Sequence, residues 1–266
     1  MSKEDFWERV GRADKILVGL GEEFDNLGRL RGIPEYIKGC RLLEKENCSW
    51  AIPVWNLFWN KKMGDLGEPV RSALRSLFEI LEGEKRSFRG DYFVVSTALD
   101  RSIVHDSGRV VMPCGSSLKK QCCGGCKEVL QTVTDEELEL LLQGCEEVLE
   151  GSVQGLLRLG KCPDCGENFV LNNIHAPNYQ ESGYLEQWNS YTKWLQGTLN
   201  RSCLVLELGV GMQHPTVIRW PFEKIVYFNK KAYLYRVNEK LYQLTEELSG
   251  KGCGISMNAI DWLNQL

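Results

Sequence analysis

The chain has 266 residues, 43% of them hydrophobic and 26% charged, enough for one large domain or a large domain carrying a small one. With 32 basic against 36 acidic side chains its net charge is −4, which argues against a general nucleic-acid binder. No apolar run reaches about eighteen residues, and the polar start Met-Ser-Lys-Glu-Asp leads into no apolar signal core. The expectation is a soluble, cytoplasmic, folded protein with no membrane partner.

In chain order, the first element is a buried strand in Asp14-Lys-Ile-Leu-Val-Gly-Leu-Gly21, apolar on both faces and closed by Gly19 and Gly21. Trp50, Trp55 and Trp59 follow in an aromatic stretch; such a cluster forms either a peptide-binding groove or the core of a helical lobe, and core is the expectation. From Glu68 to Leu81, apolar residues recur at spacings of three and four and predict a helix with one buried face. Asp91-Tyr-Phe-Val-Val-Ser-Thr97 predicts a second buried strand. Thr134-Asp-Glu-Glu137 is a capping box opening a helix to about Leu149. Tyr184 to Leu195 carries Trp188, Tyr191 and Trp194 at helical spacing, again expected as core. Ser202 to Gly211 predicts a third strand running into glycines, and Pro215 to Phe228 a helix interrupted by Pro221. Ala232 to Asn238 predicts a fourth strand, and Ala259 to Leu266 a short terminal helix. Strands alternating with helices indicate an α/β domain built on a mainly parallel sheet.

The eleven cysteines are an odd number, without an export signal to favour disulfides. Five of them fall into two short-spaced groups, Gln121-Cys-Cys-Gly-Gly-Cys126 and Lys161-Cys-Pro-Asp-Cys-Gly166. A tetrahedral Zn²⁺ needs two such pairs brought together from two turns, and the glycines and the proline suit tight ligand-bearing knuckles. Cys126, Cys162 and Cys165 are assigned as ligands, with Cys122 or Cys123 as the fourth. Buried thiols or a redox pair are the alternative. Four sulfurs leave no position for an activated water, so the zinc is expected to be structural and to hold a small module at about residues 114–170.

An early strand–glycine turn, a zinc insert and a late strand–glycine turn together resemble the sirtuin (Sir2) family of NAD-dependent protein deacylases and ADP-ribosyltransferases. The likeness is greatest to the microbial class M branch, linked to ADP-ribosylation of lipoyl-carrier proteins. Leu204-Val-Leu-Glu-Leu-Gly-Val-Gly211, His214-Pro-Thr-Val-Ile-Arg-Trp-Pro-Phe222 and Tyr235-Arg-Val-Asn238 carry it. The resemblance implies a Rossmann-like parallel-sheet domain formed by residues 1–113 and 171–266. It would hold a helical lobe at about 25–88 and an inserted zinc-ribbon module at 114–170. NAD would bind across the carboxyl ends of the strands, with Gly19, Gly21, Thr97, Gly209, Val210, Gly211 and Asn238 as contacts. A protein partner of the acyl- or lipoyl-carrier type is implied as well. Read without the family, each strand–glycine turn needs only close packing or a positive φ.

The departures from the family fall on the chemistry. Its first loop carries a Gly-Ala-Gly run with small residues and Ser; here it reads Gly19-Leu-Gly-Glu-Glu-Phe24. Glu22 and Glu23 would repel an incoming diphosphate or imitate it from within the chain; alternatively they are ordinary solvated side chains of a first helical turn. Where the family has Thr-x-Asn-x-Asp this chain has Ser96-Thr97-Ala98-Leu99-Asp100, so the position of its ribose-positioning Asn holds Ala98. Asp100 remains as a catalytic or helix-capping carboxylate. The general base, His or Gln before Gly, is Cys114 before Gly115. Cys114 would act as a nucleophile only with a lowered pKa, with His105, His175 or His214 approaching in space. His175, after the second knuckle, is read as a loop residue or as part of an acyl-lysine channel. Three functions follow as expectations. They are a sirtuin-type protein with lost or altered turnover serving as a nucleotide- or protein-binding scaffold, an active NAD-dependent ADP-ribosyltransferase, and a Cys114 thiol enzyme or zinc-ribbon interaction protein.

Overall fold

The computed structural model describes residues 3–83, 88, 90–103, 108–126 and 130–266. The first half of the chain runs α1 (Lys3–Arg12), β1 (Lys15–Leu20), α2 (Leu27–Leu30), α3 (Pro34–Lys45), α4 (Ile52–Lys62), α5 (Glu68–Leu81) and β2 (Asp91–Ser96). It continues through β3 (Val110–Val111), β4 (Gly115–Cys122), β5 (Gln131–Thr132), α6 (Asp135–Leu149) and β6 (Phe169–Asn173). The remainder is α7 (Leu185–Gln196), β7 (Cys203–Leu208), α8 (Arg219–Phe228), β8 (Ala232–Val237), β9 (Gly252–Ile255) and α9 (Ala259–Asn264).

Six strands form one sheet in the order β3-β2-β1-β7-β8-β9, and every pairing is parallel. Counted along the chain within this sheet, the order is the doubly wound 3-2-1-4-5-6, whose direction reverses between β1 and β7. Its strands alternate between two buried faces. Ile16, Val18 and Leu20 of β1 point to a core shared with α1, α5 and α9, where Phe6, Leu77 and Trp262 pack. Leu17 points to the other face, where Tyr191 and Trp194 of α7 and Phe222 and Val226 of α8 cover the strands. Burial on both sides explains why β1 and β7 read as continuous apolar runs rather than alternating ones.

A third core joins α3, α4 and α6 to β6 and to the thiols of Cys122 and Cys162. Trp50, Trp55 and Trp59 are buried there, with Trp55 stacked on Phe58, so the tryptophan cluster is core and not a groove. Gly39 admits it: a Cβ at that position would fall 2.2 Å from the Trp55 ring. Within the stretch 25–88, α3 and α4 therefore pack with the cysteine-bearing segment, whereas α5 lies on the sheet against α9. A separate antiparallel sheet, β5-β4-β6, sits beside this core.

The capping box forms as expected, with the Thr134 hydroxyl accepting from the Glu137 N–H and the Glu137 carboxylate from the Thr134 N–H. The helix expected at 215–228 begins only at Arg219. Pro221 then falls in the first turn, where backbone N–H groups have no intrahelical partner and a missing donor costs nothing. The terminal helix stops at Asn264, two residues before the end. Among the described residues, no helix is long and apolar enough to cross a membrane.

Candidate functional site

The sheet reverses direction where β1 and β7 lie side by side, and the loops leaving their carboxyl ends touch there. Gly21 continues the ladder, its N–H donating to the Leu208 carbonyl at 2.9 Å. A Cβ on Gly21 would lie 2.3 Å from the Gly209 oxygen and the Val210 Cα, so the loops meet backbone to backbone. Gly209 adopts φ +63 and its N–H donates to the Val237 carbonyl at 2.8 Å. Gly19 lies inside β1 rather than in the loop; a Cβ there would strike Ile218 at 2.4 Å and Phe222 at 2.8 Å. Its role is the close approach of the segment entering α8.

Glu22 and Glu23 turn inward across these loops. The Glu22 carboxylate accepts from the Gly211 N–H at 2.7 Å. Glu23 accepts from the Glu239 N–H at 3.1 Å and from the Ala259 N–H at 2.6 Å. Burial raises the Glu23 pKa, and the two N–H bonds counter it. Solvated side chains, one of the two readings of these glutamates, do not describe this pair.

The other expected cofactor contacts are committed within the fold. Thr97 donates its N–H to the Leu20 carbonyl at 2.9 Å, and its hydroxyl faces the same oxygen at 3.4 Å. Asn238 closes the turn after β8, its Oδ1 accepting from Lys240 at 2.9 Å and Leu241 at 2.7 Å while its Nδ2 donates to the Val210 carbonyl at 3.3 Å. Val210 is buried.

Asp100 accepts from the Ser102 N–H at 2.7 Å, a local turn bond. Ala98 is wholly buried. Cys114 is buried at the entry to β4, where Gly115 takes φ +85 against the Asn172 carbonyl. Burial, with the carboxylates of Asp25 and Glu22 adding to it, pushes the Cys114 thiol up to about 12. Of the three histidines, His105 lies outside the described residues. His175 is held below the usual imidazole range by burial and by nearby His214.

Two features escaped the sequence reading. Asp25 is buried, accepts from the Leu99 N–H at 2.8 Å, and has its pKa raised to about 8 by desolvation, with Asp100 and Glu22 nearby. The acidic run Glu22-Glu23-Phe24-Asp25 was its signal. The second is a buried ion network behind the late loop. Arg236 forks onto Glu207 at 2.8 and 2.9 Å and reaches Glu223 at 2.7 Å. Arg219 binds Glu207 at 3.1 Å and ties down the Val210 and Leu241 carbonyls. Its signal was a charge in register on each of two apolar strands, since Glu207 faces Arg236 across β7 and β8.

The thiols of Cys122, Cys126, Cys162 and Cys165 lie within 4.8 Å of one another and could hold a metal ion. Cys122 is 3.3 Å from Cys165 and 3.6 Å from Cys126, and Cys126 is 3.4 Å from Cys162. Cys123 instead directs its sulfur to Glu167 at 3.7 Å. Four sulfurs at these separations suit a tetrahedral ion bound by thiolates alone.

The 3-2-1-4-5-6 sheet, with glycine loops meeting at its reversal point and a four-cysteine module set into the chain, defines a Rossmann-type α/β protein. No protein-family model matches it. It is 20% identical over 260 residues to the Protein ADP-ribosyltransferase of Staphylococcus aureus strain Mu50, an alignment covering 90% of this chain and 78% of that protein. It superposes on Sir2Tm bound to a propionylated peptide with a TM-score of 0.53, at 12% identity, covering 100% of this chain and 97% of that one. A Sir2 complex with an inhibitor, 2'-O-acetyl-ADP-ribose and a deacetylated peptide gives a TM-score of 0.54 at 13% identity, covering 98% and 96%. The chain is sirtuin-like, and its fold is that of the Sir2 structures.

Proposed function

We propose that this protein derives from the sirtuin-type NAD-dependent deacylase and ADP-ribosyltransferase lineage, has lost turnover, and acts as a binding scaffold for a protein or a nucleotide. The observation that carries this reading is Cys114. It stands where the family places its general base, and burial beside Asp25 and Glu22 pushes its thiol up to about 12. A thiol held protonated neither takes a proton nor attacks a ribose carbon. Ala98, at the position of the family's ribose-holding amide, offers only a methyl group. Asp100, the remaining carboxylate of that pattern, is engaged with Ser102. The same burial argues against a Cys114 thiol enzyme.

The four-cysteine group would hold a structural Zn²⁺ through Cys122, Cys126, Cys162 and Cys165, with Cys123 outside the set. Since Cys122 and Cys162 belong to the apolar core shared with α4 and α6, the ion would fasten the module to the helical lobe.

A second reading, an active ADP-ribosyltransferase on a carrier protein, is favoured by the staphylococcal relative's name and by the length of that match. Nicotinamide release separates the two. Incubation with NAD and a lipoyl-carrier protein is expected to release none, while calorimetry with NAD and ADP-ribose reports binding independently. Nicotinamide released in proportion to enzyme would overturn the loss-of-turnover reading.

A further inference from the structure

We infer that Glu22 and Glu23 form a built-in stopper that occupies the diphosphate region of the dinucleotide cleft. The inference rests on the sirtuin-type placement of that cleft and not on the loss of turnover.

In a doubly wound sheet the ligand's phosphates meet backbone N–H groups of the loops at the reversal point, outside the strand ends. Here three N–H groups from three segments, Gly211 after β7, Glu239 after β8 and Ala259 after β9, are all turned onto the two carboxylates. They lie 189, 216 and 236 residues away in sequence from the glutamates that accept from them, so the pair pins the first loop to the whole carboxyl edge of the late strands. The space between the loops is also taken. A Cβ on Gly209 would fall 2.6 Å from the Glu23 Cβ, and one on Gly211 would fall 2.8 Å from a Glu22 oxygen. The late glycines thus accommodate the glutamate side chains, which supply the negative charge that the cleft would otherwise draw from a ligand. A diphosphate entering this region meets carboxylates and finds these donors engaged. Burial of Glu23, with two N–H groups bonded to it, is the environment of a fixed plug rather than of a solvated side chain.

The test compares the full chain with its E22S/E23S and E22Q/E23Q variants by calorimetry, using ADP-ribose and inorganic pyrophosphate as probes. The serine pair is expected to bind ADP-ribose at least about tenfold more tightly than the parent. The glutamine pair, which keeps the bulk and the acceptor oxygens but not the charge, should gain less than the serine pair. Near-ultraviolet circular dichroism checks that each variant is folded; if the serine pair is not, a gain with the glutamine pair supports the stopper and no gain refutes it. A folded serine pair without a gain, or a parent that binds as tightly as its variants, overturns the inference. Nicotinamide assays on the same variants keep the two readings apart. ADP-ribose bound without turnover supports both. Binding with nicotinamide released supports the stopper and ends the loss-of-turnover reading. A serine pair with neither leaves that reading standing and removes the stopper.

Discussion

Replacing Asp25 with asparagine changes stability in a way that depends on pH, and the sign follows from the site. Asp25 is buried among Leu99, Asp100 and Glu22, and its carboxyl is raised from 3.8 to about 8, first by desolvation and then by the Asp100 charge. Well below pH 3.8 the carboxyl is neutral in both the folded and the unfolded chain, and the full stability is present. Between about 4 and 8 the folded chain holds a proton that the unfolded chain has released, so stability falls as pH rises; above 8 the loss levels off. At ~1.36 kcal/mol for each tenfold change in proton affinity, the rise corresponds to at most about 6 kcal/mol. That is a large share of the roughly 5–15 kcal/mol by which domains are stable. Asparagine keeps the Oδ1 acceptor for the Leu99 N–H and cannot ionise. Urea unfolding of both proteins at pH 5, 6, 7, 8, 9 and 10 should therefore show the D25N variant gaining on the parent by up to ~1.4 kcal/mol per pH unit, and then holding constant above about pH 8. A difference that does not change with pH, or a parent that gains on D25N as pH rises, would refute the burial argument.

Three further outcomes are expected. Chelation of the metal should lower the melting temperature of the parent, and C126S should lose the ion while C123S keeps it, because the Cys123 sulfur faces Glu167; zinc content by atomic absorption checks both. With its thiol pushed up to about 12, Cys114 stays protonated at pH 7.5. Iodoacetamide followed by mass spectrometry should therefore leave it unmodified until the chain is unfolded in urea. Changing Arg236 to Met strips Glu207 of a two-point partner and should cost about 3 kcal/mol, with part recovered in R236M/E207L; denaturant midpoints of both variants decide it.

The sheet was legible because burial on both faces leaves largely apolar runs, as in β1, β2, β7 and β8, which glycines close after β1 and β7. The edge strands were not. Val110–Val111 is too short to show a pattern, and Gly252–Ile255 is half-buried and glycine-rich, so neither has the composition of a strand. The cysteine pairs were legible from their spacing, whereas the choice between Cys122 and Cys123 depends on which thiol a tight turn directs inward. The helical lobe was only partly readable. The period of α5 predicts a buried face, but not whether the sheet or the other helices cover it. Asp25 went unnoticed because a carboxylate two residues beyond the Glu22-Glu23 pair reads as more of the same charge, and only tertiary packing buries it. Glu207 and Arg236 were hidden likewise, since a lone charge in an apolar strand announces nothing until its neighbour in register is known.

On the proposed reading, the departures from the sirtuin pattern act as one set. Burial raises both Asp25 and Cys114; Glu22 lies close enough to add to each, and Asp25 adds to Cys114 in turn. An acidic first loop thus engages the Gly211, Glu239 and Ala259 donors and at the same time adds to the burial that keeps the Cys114 thiol protonated. Restoring a histidine at Cys114 alone would place an imidazole beside these carboxylates without returning an amide at Ala98. Restoring an asparagine at Ala98 alone would insert a polar side chain at a wholly buried position next to the Asp25–Leu99 bond. Neither single change frees the Gly211, Glu239 and Ala259 donors. If turnover has been lost as proposed, its recovery would require the first loop to change before, or together with, Ala98 and Cys114.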